Sequence, residues 1–239
     1  MIQNREKFLE KIATSLNRPF SPTQKPVRNW QHKPEEKKLS HLSIDELMPA
    51  FVEQCGRLNN TNVVEVSSGD VKKAVDEAVK QHGGESVALW NDERFQKLGL
   101  DELYEKQWVE EGLRVHVWDS GLSRTENFER TNDSNIGIVF AEYALAESGT
   151  VVLYSAEGQG KAVGLLPNAF IAIVKKSTLR PRITQAVQEM EREFVEAGKT
   201  LPAAVDFVSG PSNSADIEMD LVVGVHGPIY ATYIVVSDQ

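Results

Sequence analysis

Short apolar runs recur along this chain at 62–66, 86–90, 114–118, 136–140, 150–154 and 170–174, with polar or amphipathic stretches between them. Each run is too short for a buried helix and most are rich in Val or Ile, so each reads as a strand. After 62–66, Ser67-Ser68-Gly69-Asp70 reads as a turn with a helix cap, and Val71, Val75, Ala78 and Val79 then mark a helix face. Ile183, Val187, Met190 and Phe194, spaced four, three and four, mark another helix that ends at Gly198. Strands alternating with helices predict an α/β fold, an open, mainly parallel sheet flanked by helices. The C-terminus departs from this rhythm. There, 221–225 and 229–236 are separated only by His226, Gly227 and Pro228, and three residues cannot hold a crossover helix. The pair is expected to be antiparallel, or a single strand with a sharp bend.

The first 42 residues read differently. Phe8, Leu9, Ile12 and Leu16 predict an amphipathic helix over 4–16. Pro19, Pro22, Pro26 and Pro34 follow, four of the chain's 10 prolines, which predicts an extended arm. Ser43 and Glu46 form a capping box that opens the main domain, giving a division into 1–42 and 43–239. Charge divides at the same place. The net charge is −9, yet residues 1–42 carry nine Lys/Arg against four Asp/Glu, and the remainder seventeen against thirty-one. An acidic body of this kind repels nucleic acid and anionic membranes, while the basic arm suits an acidic partner or its own domain. No apolar run approaches the roughly 18–20 residues of a membrane span. Cys55 is the single cysteine, so the chain holds neither a disulfide framework nor a cysteine-ligated cluster of its own. A reducing cytoplasm is the expected compartment.

Some familiar motifs fail on inspection. Gly158-Gln159-Gly160-Lys161 looks phosphate-binding, but Ala162 stands where a P-loop needs Ser or Thr, so a flexible loop with a lysine at its tip is expected. No Gly-x-Ser-x-Gly elbow occurs, and no histidines stand at zinc-ligand spacing. Three other segments can carry chemistry. In Ala146-Glu147-Ser148-Gly149-Thr150, a buried Glu147 would have a raised pKa and could act as base or nucleophile, or simply cap a turn or pair with a lysine. In 209–220, Ser209, Gly210, Ser212 and Ser214 suit an anion held by N–H and O–H groups, and Asp216, Glu218 and Asp220 share one face of an extended segment. A capped turn leading into an amphipathic strand is the structural alternative. In Gly224-Val225-His226-Gly227-Pro228, His226 is either a proton shuttle, a ligand donor or a structural hydrogen-bonding group.

Taken together and in this order, these segments resemble the lactate utilization protein C family, the LUD-domain proteins. The likeness runs through 146–150, Leu166-Pro167 before the 170–174 run, 210–218 and 224–228, and covers roughly 43–237. Ser148 and Ser214 replace the family's commoner threonines, and Asn213 stands where a basic residue is frequent. The resemblance implies the fold group of the CoA transferases, ribose-5-phosphate isomerase and 5-formyltetrahydrofolate cyclo-ligase. It also implies a part in oxidising L-lactate to pyruvate alongside partner proteins that carry iron–sulfur clusters, with no cofactor in this chain. On that reading Glu147 and His226 are the candidate catalytic residues. Gly149, Thr150, Ser209, Gly210, Ser212, Ser214, Asp216, Glu218 and Gly227 are the candidate ligand-binding residues. Two other readings stand beside it: a transferase or isomerase acting on a CoA ester, phosphosugar or folate through Glu147, and a non-catalytic assembly module.

Overall fold

A computed structural model describes residues 4–20, 31–215 and 219–238. The chain divides into two compact units, Met1–Pro34 and Glu35–Gln239. In the first, the expected helix runs over Arg5–Ser15 and buries none of its side chains. Phe8, Ile12 and Leu16 form its exposed apolar stripe.

In the second unit the apolar runs pair as anticipated. Strands β1 (Thr61–Ser67), β2 (Ser86–Leu89), β3 (Arg114–Val117) and β4 (Ile136–Ala141) are followed by β5 (Tyr143–Leu145), β6 (Thr150–Ser155), β7 (Ala169–Lys175) and β8 (Leu179–Arg180). The last four are β9 (Ala204–Ser209), β10 (Asn213–Ser214), β11 (Val222–Val223) and β12 (Tyr230–Ser237). One sheet has the order β1-β12-β7-β4-β2-β3, and each neighbouring pair in it is parallel. Its inner strands β2, β4 and most of β7 and β12 are buried throughout, which is why they read as unbroken apolar runs rather than alternating ones. The helices Ile44–Cys55 and Val71–Gln81 contribute Leu47, Phe51, Val75 and Val79 to the core. Phe51 stacks on Tyr233 of β12 with ring centroids 5.9 Å apart.

The helix starts follow their capping signals. The Ser43 hydroxyl accepts from the Glu46 N–H at 3.3 Å, and the Glu46 carboxylate accepts from the Ser43 N–H at 2.8 Å. Asp70 occupies the expected cap position, but its carboxylate accepts from the Ser67 hydroxyl at 2.6 Å instead of from the helix.

Three features depart from expectation. A second sheet, order β8-β5-β6-β9, has antiparallel β5-β6 and β6-β9 pairs. Of its strands only β6 is a plain apolar run; β5 is very short, and Asp206 interrupts β9. An antiparallel pair is present near the C-terminus, but it joins β11 to β10, not to β12. The reason is that β12 has both edges occupied, by β1 on one side and β7 on the other. The helix read from Ile183 onward is α-helical over Ile183–Met190 and a π-helix over Glu191–Glu196. Its buried residue in the α-helical part is Ala186, while Ile183 and Val187 remain 49% and 46% exposed.

Candidate functional site

The motif segments meet at the amino end of the parallel strands. Residues 146–149 turn between β5 and β6, closed by the Gly149 N–H donating to the Leu145 carbonyl at 3.0 Å. Gly149 has φ +61°, and a Cβ there would stand 3.0 Å from Cys55 Sγ and 3.1 Å from Leu58 Cδ1. Only glycine lets this turn seat on the end of the Ile44–Cys55 helix. Thr150 pairs with Ser209 across the sheet. Its hydroxyl lies 2.6 Å from both the Ser148 and the Ser209 hydroxyls, forming a short chain of O–H groups.

Gly210 follows with φ +69°, where a Cβ would lie 2.7 Å from Thr61 Oγ1 at the start of β1. The Gly210 N–H donates to Tyr233 Oη at 2.7 Å, and that hydroxyl donates to the Val208 carbonyl at 3.3 Å. Burial pushes the Tyr233 phenol upward, so it stays a neutral donor. The third segment folds onto the second: the Ser212 N–H donates to the Pro228 carbonyl, and the Gly224 N–H donates to the Ser212 carbonyl, both at 2.8 Å. A Cβ on Gly227 would be 3.2 Å from Ser212 Cβ.

The structure therefore brings together Gly149, Thr150, Ser209 and Gly210, and separately Ser212, Ser214 and Gly227. Asp216 and Glu218 lie outside the described residues. His226 is exposed, and its side chain makes no hydrogen bond among the described residues.

Glu147 has a different environment from the one expected. Its carboxylate accepts from Arg182 Nε at 2.5 Å and pairs with Lys38 Nζ at 3.1 Å. Burial alone would raise its pKa, but the Arg182 and Lys38 contacts outweigh burial and hold the carboxyl below its ordinary value. The expectation of a raised pKa is thus corrected: the group stays ionised, the form a nucleophile needs and a general acid lacks. Beside it, Arg182 Nη1 and Gln185 Oε1 are buried without a hydrogen-bond partner among the described residues.

At the opposite, carboxyl end of the strands lies a cavity of about 570 Å³. The connections from the adjacent strands β2 and β4 leave in opposite directions, toward β3 and toward β7, the arrangement that opens a crevice in parallel sheets. Arg94, on the helix after β2, stands in its wall. Its guanidinium donates to both Asp92 oxygens, with Nη2 at 2.6 Å from Oδ2, and Nη1 donates to Glu142 at 2.8 Å. It also lies 4.7 Å from the Phe140 ring centroid.

The 158–161 loop, expected to be flexible, is pinned to the same end of β2. Asn91 N–H donates to the Gly158 carbonyl at 2.9 Å, Trp90 Nε1 to the Gly160 carbonyl at 2.8 Å, and Gln159 Nε2 to Asp92 Oδ2 at 2.7 Å. Lys161 pairs with Asp206 at 2.5 Å instead of projecting freely. Sequence reasoning did not find this cluster. Asp92 directly after a strand and ahead of a helix is its one local signal; Arg94 and Glu142 are 48 residues apart. Among the described residues no group of three His, Cys, Asp or Glu side chains could hold a metal ion, and no helix is long and apolar enough to cross a membrane.

The LUD domain family model matches residues 48–236. Lactate utilization protein C of Geobacillus sp. (strain WCH70) is 44% identical over 238 residues, which cover 100% of this chain and 98% of that protein. The protein of the same name from Bacillus subtilis (strain 168) is 44% identical over 238 residues, with the same coverage. A solved structure of a DUF162 family protein from Deinococcus radiodurans aligns with TM-score 0.55 and 19% identity, covering 82% of this chain and 99% of that one. That likeness concerns the fold.

Proposed function

Because this chain belongs to the LUD domain family, we propose that it serves in lactate utilization. Its role is that of a cytoplasmic subunit or accessory protein of a system oxidising L-lactate to pyruvate with iron–sulfur partner proteins. The observation that carries this reading is the end-to-end identity with proteins named lactate utilization protein C, which includes the N-terminal region as well as the main domain. A single, buried cysteine supports locating the clusters in the partners.

L-lactate-dependent dye reduction, measured anaerobically, tests the proposal. Activity is expected from a mixture of this chain with its cluster-bearing partners, and not from the chain alone. Full activity of the partners without this chain would sink it.

A second reading, a non-catalytic assembly module, is favoured by the motif glycines, which are accounted for by close packing against Cys55, Leu58, Thr61 and Ser212. Under that reading Glu147→Gln leaves lactate oxidation unchanged, while removing 1–42 abolishes complex formation. Under the subunit reading with a working pocket, Glu147→Gln lowers lactate oxidation in the mixture.

A further inference from the structure

The cavity at the carboxyl end of the parallel sheet is large for lactate. Its volume of about 570 Å³ equals that of about nineteen waters at ~30 Å³ each, so a molecule as small as lactate would leave most of it to solvent. It falls instead within the range of sites that enclose cofactor-sized molecules.

Phe140, Ala141, Ile173 and Val236, from three neighbouring strands, give it an apolar wall. The charged groups around that wall are mostly spoken for. Arg94 is held by Asp92 and Glu142, Lys97 by Glu93, and the Asp238 carboxylate accepts from the Ser177 N–H at 3.0 Å and hydroxyl at 2.6 Å. Lys175, at the end of β7, is the lining cation outside any direct ion pair among the described residues, although its charge helps to hold the Asp238 carboxyl below its ordinary value. An apolar wall with one ammonium outside any direct ion pair matches a ligand with an apolar body and one acidic group.

We propose that this cavity binds an organic anion of about mononucleotide size, its ring or branched body against Phe140, Ala141, Ile173 and Val236 and its carboxylate or phosphate at Lys175. The site is independent of the lactate reading, since its occupancy is read by binding and not by lactate oxidation.

The full chain is titrated with anilinonaphthalene sulfonate, an aromatic anion whose fluorescence rises in apolar surroundings. Saturable enhancement is expected. Lys175→Gln should weaken binding about fivefold at low salt while Lys175→Arg retains it, and Ala141→Trp should abolish it by filling the cavity. Lys175 is exposed, so its variants keep the native melting temperature and the test stands even if Ala141→Trp fails to fold. Displacement by adenosine monophosphate assigns the acidic group as phosphate, and displacement by phenylpyruvate assigns it as carboxylate.

Three results would overturn the proposal. The first is absence of enhancement, and the second is displacement by neither competitor. The third is enhancement indifferent to Lys175→Gln but lost in Val187→Asp, which would move the probe to the exposed face of the Ile183–Met190 helix.

Discussion

The two ends of the parallel sheet are built by opposite means. At the amino end, glycines, hydroxyls and main-chain hydrogen bonds bring 146–150, 209–214 and 224–228 into contact through close backbone approach. At the carboxyl end, the charged side chains of Arg94 and Glu142, 48 residues apart, line a cavity, and Asp92 holds Arg94 in place. The comparison separates a conspicuous motif from a conspicuous space. The glycines that stand out in the sequence are sites of tight packing, and a large cavity is framed by residues that do not stand out.

The strongest test of the carboxyl end is Arg94→Met. It leaves the Asp92 side chain, 3% exposed, without its countercharge. A loss of roughly 3–5 kcal/mol is expected in urea unfolding, and adding Asp92→Asn should recover more than half of it. A loss below ~1 kcal/mol would mean that this cluster does not hold the cavity wall.

For the amino end, Gly210→Ala forces an L side chain into φ +69° and crowds Thr61 and Leu58. About 2–3 kcal/mol is expected, about 1–2 from the left-handed backbone and at least ~1 from overpacking. Differential scanning calorimetry should show the midpoint falling by roughly 4–12 °C. An unchanged midpoint would remove close packing as the reason for that glycine.

Glu147 sharpens the contrast, because it is a motif residue held by charge. Its side chain is 25% exposed, so Glu147→Gln should cost only about 1 kcal/mol at pH 7. Folding lowers this carboxyl's pKa, so its stabilisation is present above the ordinary value of 4.5 and is lost as pH falls through the lower folded value. The gap between wild type and Glu147→Gln should therefore close in acid. A gap that does not narrow as the pH is lowered would point to packing instead of charge.

The smallest stability effect is expected at His226. The exposed side chain should be replaceable by alanine within about 0.5 kcal/mol. Any fall in lactate-dependent dye reduction by the reconstituted system would then report the histidine's chemistry and not the fold. Unchanged activity would exclude it from the site.

Much of the architecture was legible because its causes are local. The capping box at Ser43 and Glu46 satisfies helix N–H groups with side chains three residues apart, so spacing alone reveals it. Strands β2, β4 and β7 are buried on both faces, and burial on both faces is what an unbroken apolar run records. Strand β9 was not legible. It is only partly buried and carries Asp206, whose carboxylate is paired with Lys161 from another part of the chain. The rotation of the Ile183–Met190 helix was hidden for a related reason. Spacing marked Ile183 and Val187 as one apolar stripe, but packing against the second sheet selected Ala186.

By itself the sequence determined the strand and helix rhythm, the distinct basic arm, and the family to which the chain belongs, because periodicity, charge and short motifs are written in neighbouring residues. Tertiary structure alone decided that β12 lies between β1 and β7, that Arg182 and Lys38 keep Glu147 ionised, and that the cavity opens beside Arg94 and Lys175. Those outcomes rest on strand order and on contacts between residues far apart in the chain, and spacing along a sequence carries no distance across a sheet.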